Sequence, residues 1–235
     1  MIRIDIATLF PAMCEAFLNE SVIGRARKAG AVRIECRDIR AYTLNKHRRV
    51  DDKAYGGGTG MVMQPQPVYD CVMSIISELD PVIKPRMIYM SPQGRRLDQK
   101  LVKELAAEQS LIILCGHYEG IDQRVLDELE FEEVSVGDYV VTGGELPALM
   151  LADAVSRLQE GVLPNEEAYS KDSHYNGLLE YPQYTRPEEW RGRRVPEVLI
   201  SGHHENIRKW QEEMSLRVTQ SKRPDLFGEG KSPFS

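Results

Sequence analysis

Short apolar runs and amphipathic stretches alternate through the first 160 residues. Ile2–Leu9, Val32–Cys36, Met87–Met90, Leu111–Cys115 and Glu133–Val136 are short and rich in Ile and Val, which predicts strands. Between them, Met13–Asn19, Val22–Ala29, Val68–Glu78, Asp98–Glu108, Asp122–Leu129 and Glu145–Leu158 carry helical patterns. Strands alternating with helices predict an α/β domain with a largely parallel sheet. In such sheets ligands bind beyond the carboxyl ends of the strands, where the loops gather. After Leu158 the pattern changes. Residues 161–177 are polar and rich in Pro, Gly, Ser and Asn, which predicts a linker. Arg186–Arg194 and His203–Arg217 then read as short helices. In the second, Ile207, Trp210, Met214 and Val218 recur three or four apart and form an apolar stripe, with Arg208, Lys209 and Arg217 off it. The expected organisation is an α/β domain over 1–160, a linker over 161–177 and a small helical domain over 178–235.

Three loops between a predicted strand and a predicted helix are dense in glycine and polar residues. They are Ser91-Pro92-Gln93-Gly94, Gly116-His117-Tyr118-Glu119-Gly120, and the stretch from Val136 to Pro147 that contains Gly137, Asp138, Gly143 and Gly144. Glycine lets backbone come close to a ligand. One such loop reads as a tight turn; three on one rim favour a pocket lined by backbone groups. A further glycine-rich stretch, Gly56-Gly57-Gly58-Thr59-Gly60, follows the basic Lys46-His47-Arg48-Arg49. It has neither the P-loop order nor the dinucleotide-turn order. It reads equally as a lid that orders on a polyanion or as a solvated loop.

Composition narrows the classes. The chain has 235 residues, 42% of them apolar, enough for a substantial core. No run of about 18 apolar residues is present, so no transmembrane helix is expected. Met1–Phe10 carries Asp5 within its apolar stretch and reads as a first strand rather than a signal peptide. Cys14, Cys36, Cys71 and Cys115 are scattered, without metal-ligand spacing. Free buried thiols in a cytoplasmic protein are expected, and a zinc site is not. The net charge of -6 argues against a nucleic-acid partner, but its distribution does not. The net is +4 over 1–60, -11 over 61–177 and +1 over 178–235, so a polyanion would meet the two ends. Ordinary scatter of charge gives such segments equally well.

Taken together, Tyr89-Met90-Ser91-Pro92-Gln93-Gly94, Cys115-Gly116-His117-Tyr118-Glu119-Gly120-Ile121-Asp122, the stretch from Ser135 to Ala148, Leu178–Pro187 and Val198–His204 resemble the bacterial tRNA (guanine-N1)-methyltransferases. The likeness runs from Met1 to about Phe227. It implies a knotted (SPOUT-type) methyltransferase, with a deep trefoil knot at the cofactor site that pattern rules alone argue against. It also implies a homodimer whose active sites are shared between chains, and transfer of a methyl group from S-adenosylmethionine to N1 of the guanine immediately 3′ of the anticodon (position 37) of tRNA. Donor-binding positions implied by the resemblance are Tyr89, Met90, Ser91, Pro92, Gly116, His117, Tyr118, Glu119, Gly120, Val136, Gly137, Tyr139, Val141, Gly143, Gly144 and Pro147. The family commonly has Arg where this chain has His117. The matching general base is Asp172, and Arg157 matches the residue that stabilises charge on guanine O6. Magnesium assists the family reaction, which makes Glu119 a candidate for holding it, or else a residue that orients its loop. The tRNA phosphates would meet Arg186, Arg191, Arg193, Arg194, Arg208, Lys222 and Arg223. Another RNA methyltransferase of the knotted class, or a catalytically silent RNA-binding module, are the competing readings. Intact cofactor loops weigh against the second.

Overall fold

A computed structural model describes residues 1–227 of the chain. The last eight residues of the segment expected to form the C-terminal domain lie outside the described residues. The chain divides into two compact units, Met1–Asn165 and Glu166–Ser235.

Unit 1 is built on five parallel strands: β1 (Arg3–Thr8), β2 (Arg33–Asp38), β5 (Arg86–Arg96), β6 (Ser110–Cys115) and β7 (Glu132–Ser135). They lie in the order β2-β1-β6-β5-β7, and every pairing among them is parallel. The largely parallel α/β architecture expected from the alternation is the one present. The strands are buried on both faces, which is why they read as continuous apolar runs. Ile4, Ile6, Ile88, Leu111 and Ile113 pack against α1 (Pro11–Leu18), α2 (Ser21–Ala29), α4 (Gln99–Ala106) and α6 (Glu145–Ser156). Ala7, Ile112 and Leu114 pack on the other face, against α3 (Pro65–Ser77) and α5 (Gln123–Glu128). The two core clusters share no residue, because successive residues of a strand face opposite sides.

Two features of unit 1 depart from the pattern reading. First, Gly56–Gly60 is the tip of an antiparallel hairpin between β3 (Asp51–Lys53) and β4 (Met61–Met63). These three-residue strands are too short to show alternation. Second, β5 does not end at Met90. Its pairing with β7 breaks after Met90 and resumes at Arg95, so Ser91–Gly94 bulges out of the ladder and the strand continues beyond.

Unit 2 holds α7 (Glu167–Ser170), a hairpin of β8 (Glu189–Trp190) and β9 (Arg193–Arg194), α8 (Glu197–Ile200) and α9 (His204–Lys222). The expected helix over Arg186–Arg194 is therefore a hairpin. Arg191 and Gly192 both take positive φ, 53° and 74°, the conformation that two-residue hairpin turns require. The expected helix over His203–Arg217 is α9, which runs five residues further. The segment expected as a linker contains α7, where Tyr169 and Tyr175 meet edge-on at 5.3 Å. Among the described residues no helix is long and apolar enough to cross a membrane.

Candidate functional site

Strands β6, β5 and β7 are adjacent in the sheet, so the loops at their carboxyl ends converge. They enclose a cavity of about 250 Å³. From β5 and its bulge come Tyr89, Met90, Ser91 and Pro92. The loop after β6 supplies Gly116, His117, Tyr118, Glu119 and Gly120. The end of β7 and the loop after it supply Val136, Tyr139, Val141, Gly143 and Gly144, and α6 adds Pro147. Val134, Ser135, Val140 and Thr142 also line it, and the sequence reading did not single them out. Of the residues implied as donor-binding, Gly137 is not among the lining. A Cβ there would meet the Tyr139 ring at 2.5 Å, so its lack of a side chain seats Tyr139.

Close approach explains the other glycines. A Cβ on Gly144 would lie 2.7 Å from the Cys115 Cα and 2.8 Å from the Gly116 nitrogen. The Gly144 N–H instead donates to the Gly116 carbonyl at 2.8 Å, so the third loop runs directly over the end of β6. A Cβ on Gly116 would meet the Tyr89 phenol oxygen at 2.8 Å. Burial, with the Glu133 carboxylate adding to it, pushes that phenol above its usual pKa. Ser135 braces the third loop by accepting from Gly137 N–H and donating to Gly137 C=O.

His117 makes edge contacts with Phe10 and Tyr118, with ring centroids at 5.1 and 4.8 Å. Its Nδ1 is buried with no hydrogen-bond partner. Glu119 is exposed and lies against Gly60 of the β3–β4 hairpin, and its N–H donates to the Met61 carbonyl at 3.0 Å. Among the described residues no group of three or more His, Cys, Asp or Glu could hold a metal ion. Nothing in the arrangement supports magnesium at Glu119.

Arg157 caps the end of α6, where its N–H donates to the Asp153 carbonyl at 2.9 Å. It lines a second cavity of unit 1, about 300 Å³, together with Phe17, Glu20, Asp153 and Ser156. Burial raises the Asp153 carboxyl, and the nearby Arg157 charge opposes that rise. Asp172 belongs to unit 2. There it lines a cavity of about 370 Å³ with Lys171, Tyr181, Arg208 and Ser215. Its N–H donates to the Tyr169 carbonyl at 3.1 Å, and its own carbonyl accepts from Tyr175 N–H at 3.2 Å. The candidate phosphate-binding side chains differ among themselves. Arg186, Arg193 and Lys222 are exposed, and Arg191 stacks over Trp190 at 4.9 Å. Arg194, Arg208 and Arg223 face Glu189, Glu212 and Asp225 at 3.0, 3.9 and 2.6 Å, which partly neutralises them.

Comparison with known proteins shows the family to which the chain belongs. Residues 2–229 match the family described as tRNA (Guanine-1)-methyltransferase TrmD. The chain belongs to that family. Curated relatives named tRNA (guanine-N(1)-)-methyltransferase agree along nearly the whole length. One from Ruminiclostridium cellulolyticum is 54% identical over 225 residues, 96% of each chain. One from Alkaliphilus oremlandii is 51% identical, covering 95% of this chain and 91% of its own. One from Clostridium perfringens is 52% identical, covering 96% and 93%. A chain of this tRNA (guanine-1)-methyltransferase family is an enzyme, and methyl transfer implies S-adenosylmethionine as donor. The loop cavity suits such a molecule. Met90, Val136, Val141 and Pro147 give it apolar walls, and Gly116, Gly143 and Gly144 also line it.

Proposed function

We propose that the three-loop cavity binds S-adenosylmethionine and that the enzyme methylates N1 of the guanine immediately 3′ of the anticodon, position 37, in tRNA. The observation that carries this reading is the glycine-cradled cavity at the ends of β5, β6 and β7 in a chain of this family. When bound, the donor supplies an electrophilic methyl group. Everything else falls to the protein. Neutral guanine N1–H is a poor nucleophile, so its proton must leave. Asp172 takes that proton as general base, which requires hydrogen-bond reach in the complex with tRNA. Proton loss builds negative charge on O6, and the Arg157 guanidinium stabilises it. The guanine leaves its stack to enter the site.

The reading includes a trefoil-knotted donor site, supported by the tight passage of Gly144 across Cys115 and Gly116. It also includes a homodimer with each active site shared between two copies. Supporting this are exposed apolar side chains on α1 and α6, two helices that pack together: Met13 and Phe17 on the first, Leu146 and Met150 on the second. Exposed Arg186, Arg191, Arg193 and Lys222 meet tRNA phosphates, which makes binding salt-dependent.

The test is Asp172→Asn, assayed with labelled donor on transcripts with and without guanine at position 37. Transfer falls at least about a thousandfold while S-adenosylhomocysteine affinity stays within about twofold. Normal turnover in the variant removes Asp172 as the base. Label on the transcript lacking that guanine moves the target elsewhere.

A further inference from the structure

The β8–β9 hairpin of unit 2 leaves a large aromatic side chain in water. Trp190, at the end of β8, is 61% exposed, whereas Trp210 has Tyr181 and Tyr184 against it. A single exposed apolar residue needs no explanation by itself. The neighbours of Trp190 are what give it one.

The register of the hairpin decides those neighbours. In its antiparallel strands Trp190 pairs with Arg193, and Glu189 with Arg194. Residues directly opposite each other project from the same face. One face therefore carries Trp190 and Arg193. The other carries Glu189 and Arg194, which form an ion pair at 3.0 Å and offset each other. The turn residues Arg191 and Gly192 both take positive φ, and the Arg191 guanidinium lies over the Trp190 ring, 4.9 Å from its centroid. Among the described residues neither Arg191 nor Arg193 has a carboxylate partner. Over 186–194 four arginines outnumber two glutamates, so the charge of the hairpin suits a polyanion.

An indole plane beside uncompensated cations matches one repeating chemistry, a flat base next to a phosphate. Every base has a face that stacks on an aromatic ring, and arginine meets the backbone. Bases inside a duplex are already stacked on both sides, so a duplex would leave the ring unused. We propose that the β8–β9 hairpin grips a single-stranded stretch of the tRNA, with Trp190 stacking on an unpaired nucleobase and Arg191 and Arg193 meeting the phosphates beside it. The inference rests on the reading of tRNA as the substrate. It adds stacking to the phosphate contacts proposed above. Because stacking accepts any base, the hairpin holds the strand without reading its sequence.

The test uses the full-length chain with a tRNA transcript and with a fully paired RNA duplex, alongside Trp190→Ala, Trp190→Phe and Arg193→Gln. In Trp190→Ala the tRNA Kd rises about tenfold and the slope of log Kd against log salt is unchanged, whereas Trp190→Phe stays within about threefold of wild type. Arg193→Gln also weakens binding, but lowers that slope by about one. The tRNA quenches indole emission of the wild type, and Trp190→Phe, which keeps Trp210, loses most of the quench. Duplex affinity is the same in wild type and Trp190→Ala. S-adenosylhomocysteine Kd within about twofold in each variant shows that unit 1 is intact. Should Trp190→Ala fail to fold, the quench in Trp190→Phe decides. Wild-type tRNA affinity in Trp190→Ala overturns the inference. So does a quench that survives in Trp190→Phe, or a duplex affinity that falls as far as that for tRNA. A wild-type chain that binds S-adenosylhomocysteine but no tRNA overturns the substrate reading and this inference with it. Binding of tRNA that ignores Trp190 overturns this inference alone.

Discussion

At the scale of single residues the site is defined by where side chains are missing. Gly144 has backbone on the side where a Cβ would go, the Cys115 Cα and the Gly116 nitrogen, and neither can move without displacing β6. Gly144→Ala is therefore expected to destabilise the protein by about 1–3 kcal/mol and to weaken S-adenosylhomocysteine binding by more than about tenfold. Thermal denaturation and calorimetric titration of the variant check this. Wild-type affinity would mean that the crossing of the third loop over β6 does not shape the cavity. The glycines themselves were legible in the sequence as dense strand-end loops. Their partners were not. Thr8 and Glu145 are 137 positions apart, and no local pattern joins the two. The exposure of Glu119 and its contact with Gly60 likewise depend on the β3–β4 hairpin, whose strands are too short to announce themselves.

At the scale of elements, long amphipathic segments declared themselves and short ones did not. All five sheet strands and six helices of unit 1 lie where alternation and helical spacing put them, with ends shifted by a few residues except at β5, which runs on past Met90 through its bulge to Arg96. Asp98, whose carboxylate accepts from Leu101 N–H at 2.8 Å, marks the start of α4 as capping rules lead one to expect. The error over Arg186–Arg194 has a physical cause. That stretch is mostly charged and carries no apolar period, so only the positive-φ pair Arg191-Gly192 determines its shape. In unit 2 the apolar stripe of α9 packs without deep burial: Thr219 is the only buried residue among those described. Trp210 anchors the stripe, with Tyr181 and Tyr184 each 6.3 Å from its ring. Trp210→Ala is expected to cost about 2–3 kcal/mol in a transition that belongs to unit 2. Two-probe thermal denaturation should show that transition moving down while S-adenosylhomocysteine still binds. A single unshifted transition would show that the stripe contributes little.

At the scale of the whole molecule, the exposed apolar residues of α1 and α6 bear on assembly. Phe17 is 44% exposed and Met150 51%, large side chains on two helices that pack together, and on the proposed homodimer they are the surface that a second copy would cover. On the proposed homodimer, Phe17→Asp combined with Met150→Asp is expected to convert the sedimenting species from dimer to monomer and to abolish methyl transfer. Analytical ultracentrifugation with a parallel activity assay reads both. An active, dimeric double variant would place the shared interface elsewhere. Charge organisation belongs to the same scale. The excess of 11 negative charges in 61–177 lies between two segments of net positive charge, a distribution that ordinary scatter gives equally well and that the proposed tRNA contact would use.

The sequence alone determined the alternating elements, the glycine-rich loops at strand ends and the family likeness, because these depend on periodicity and on residue types that act locally. Only the tertiary structure decided which loops meet. The strand order β2-β1-β6-β5-β7 sets β5, β6 and β7 side by side, although α4 and α5 separate them along the chain. Pairing between distant strands is a long-range choice that hydrophobic spacing does not encode. The same long-range packing buried Glu145 against Thr8.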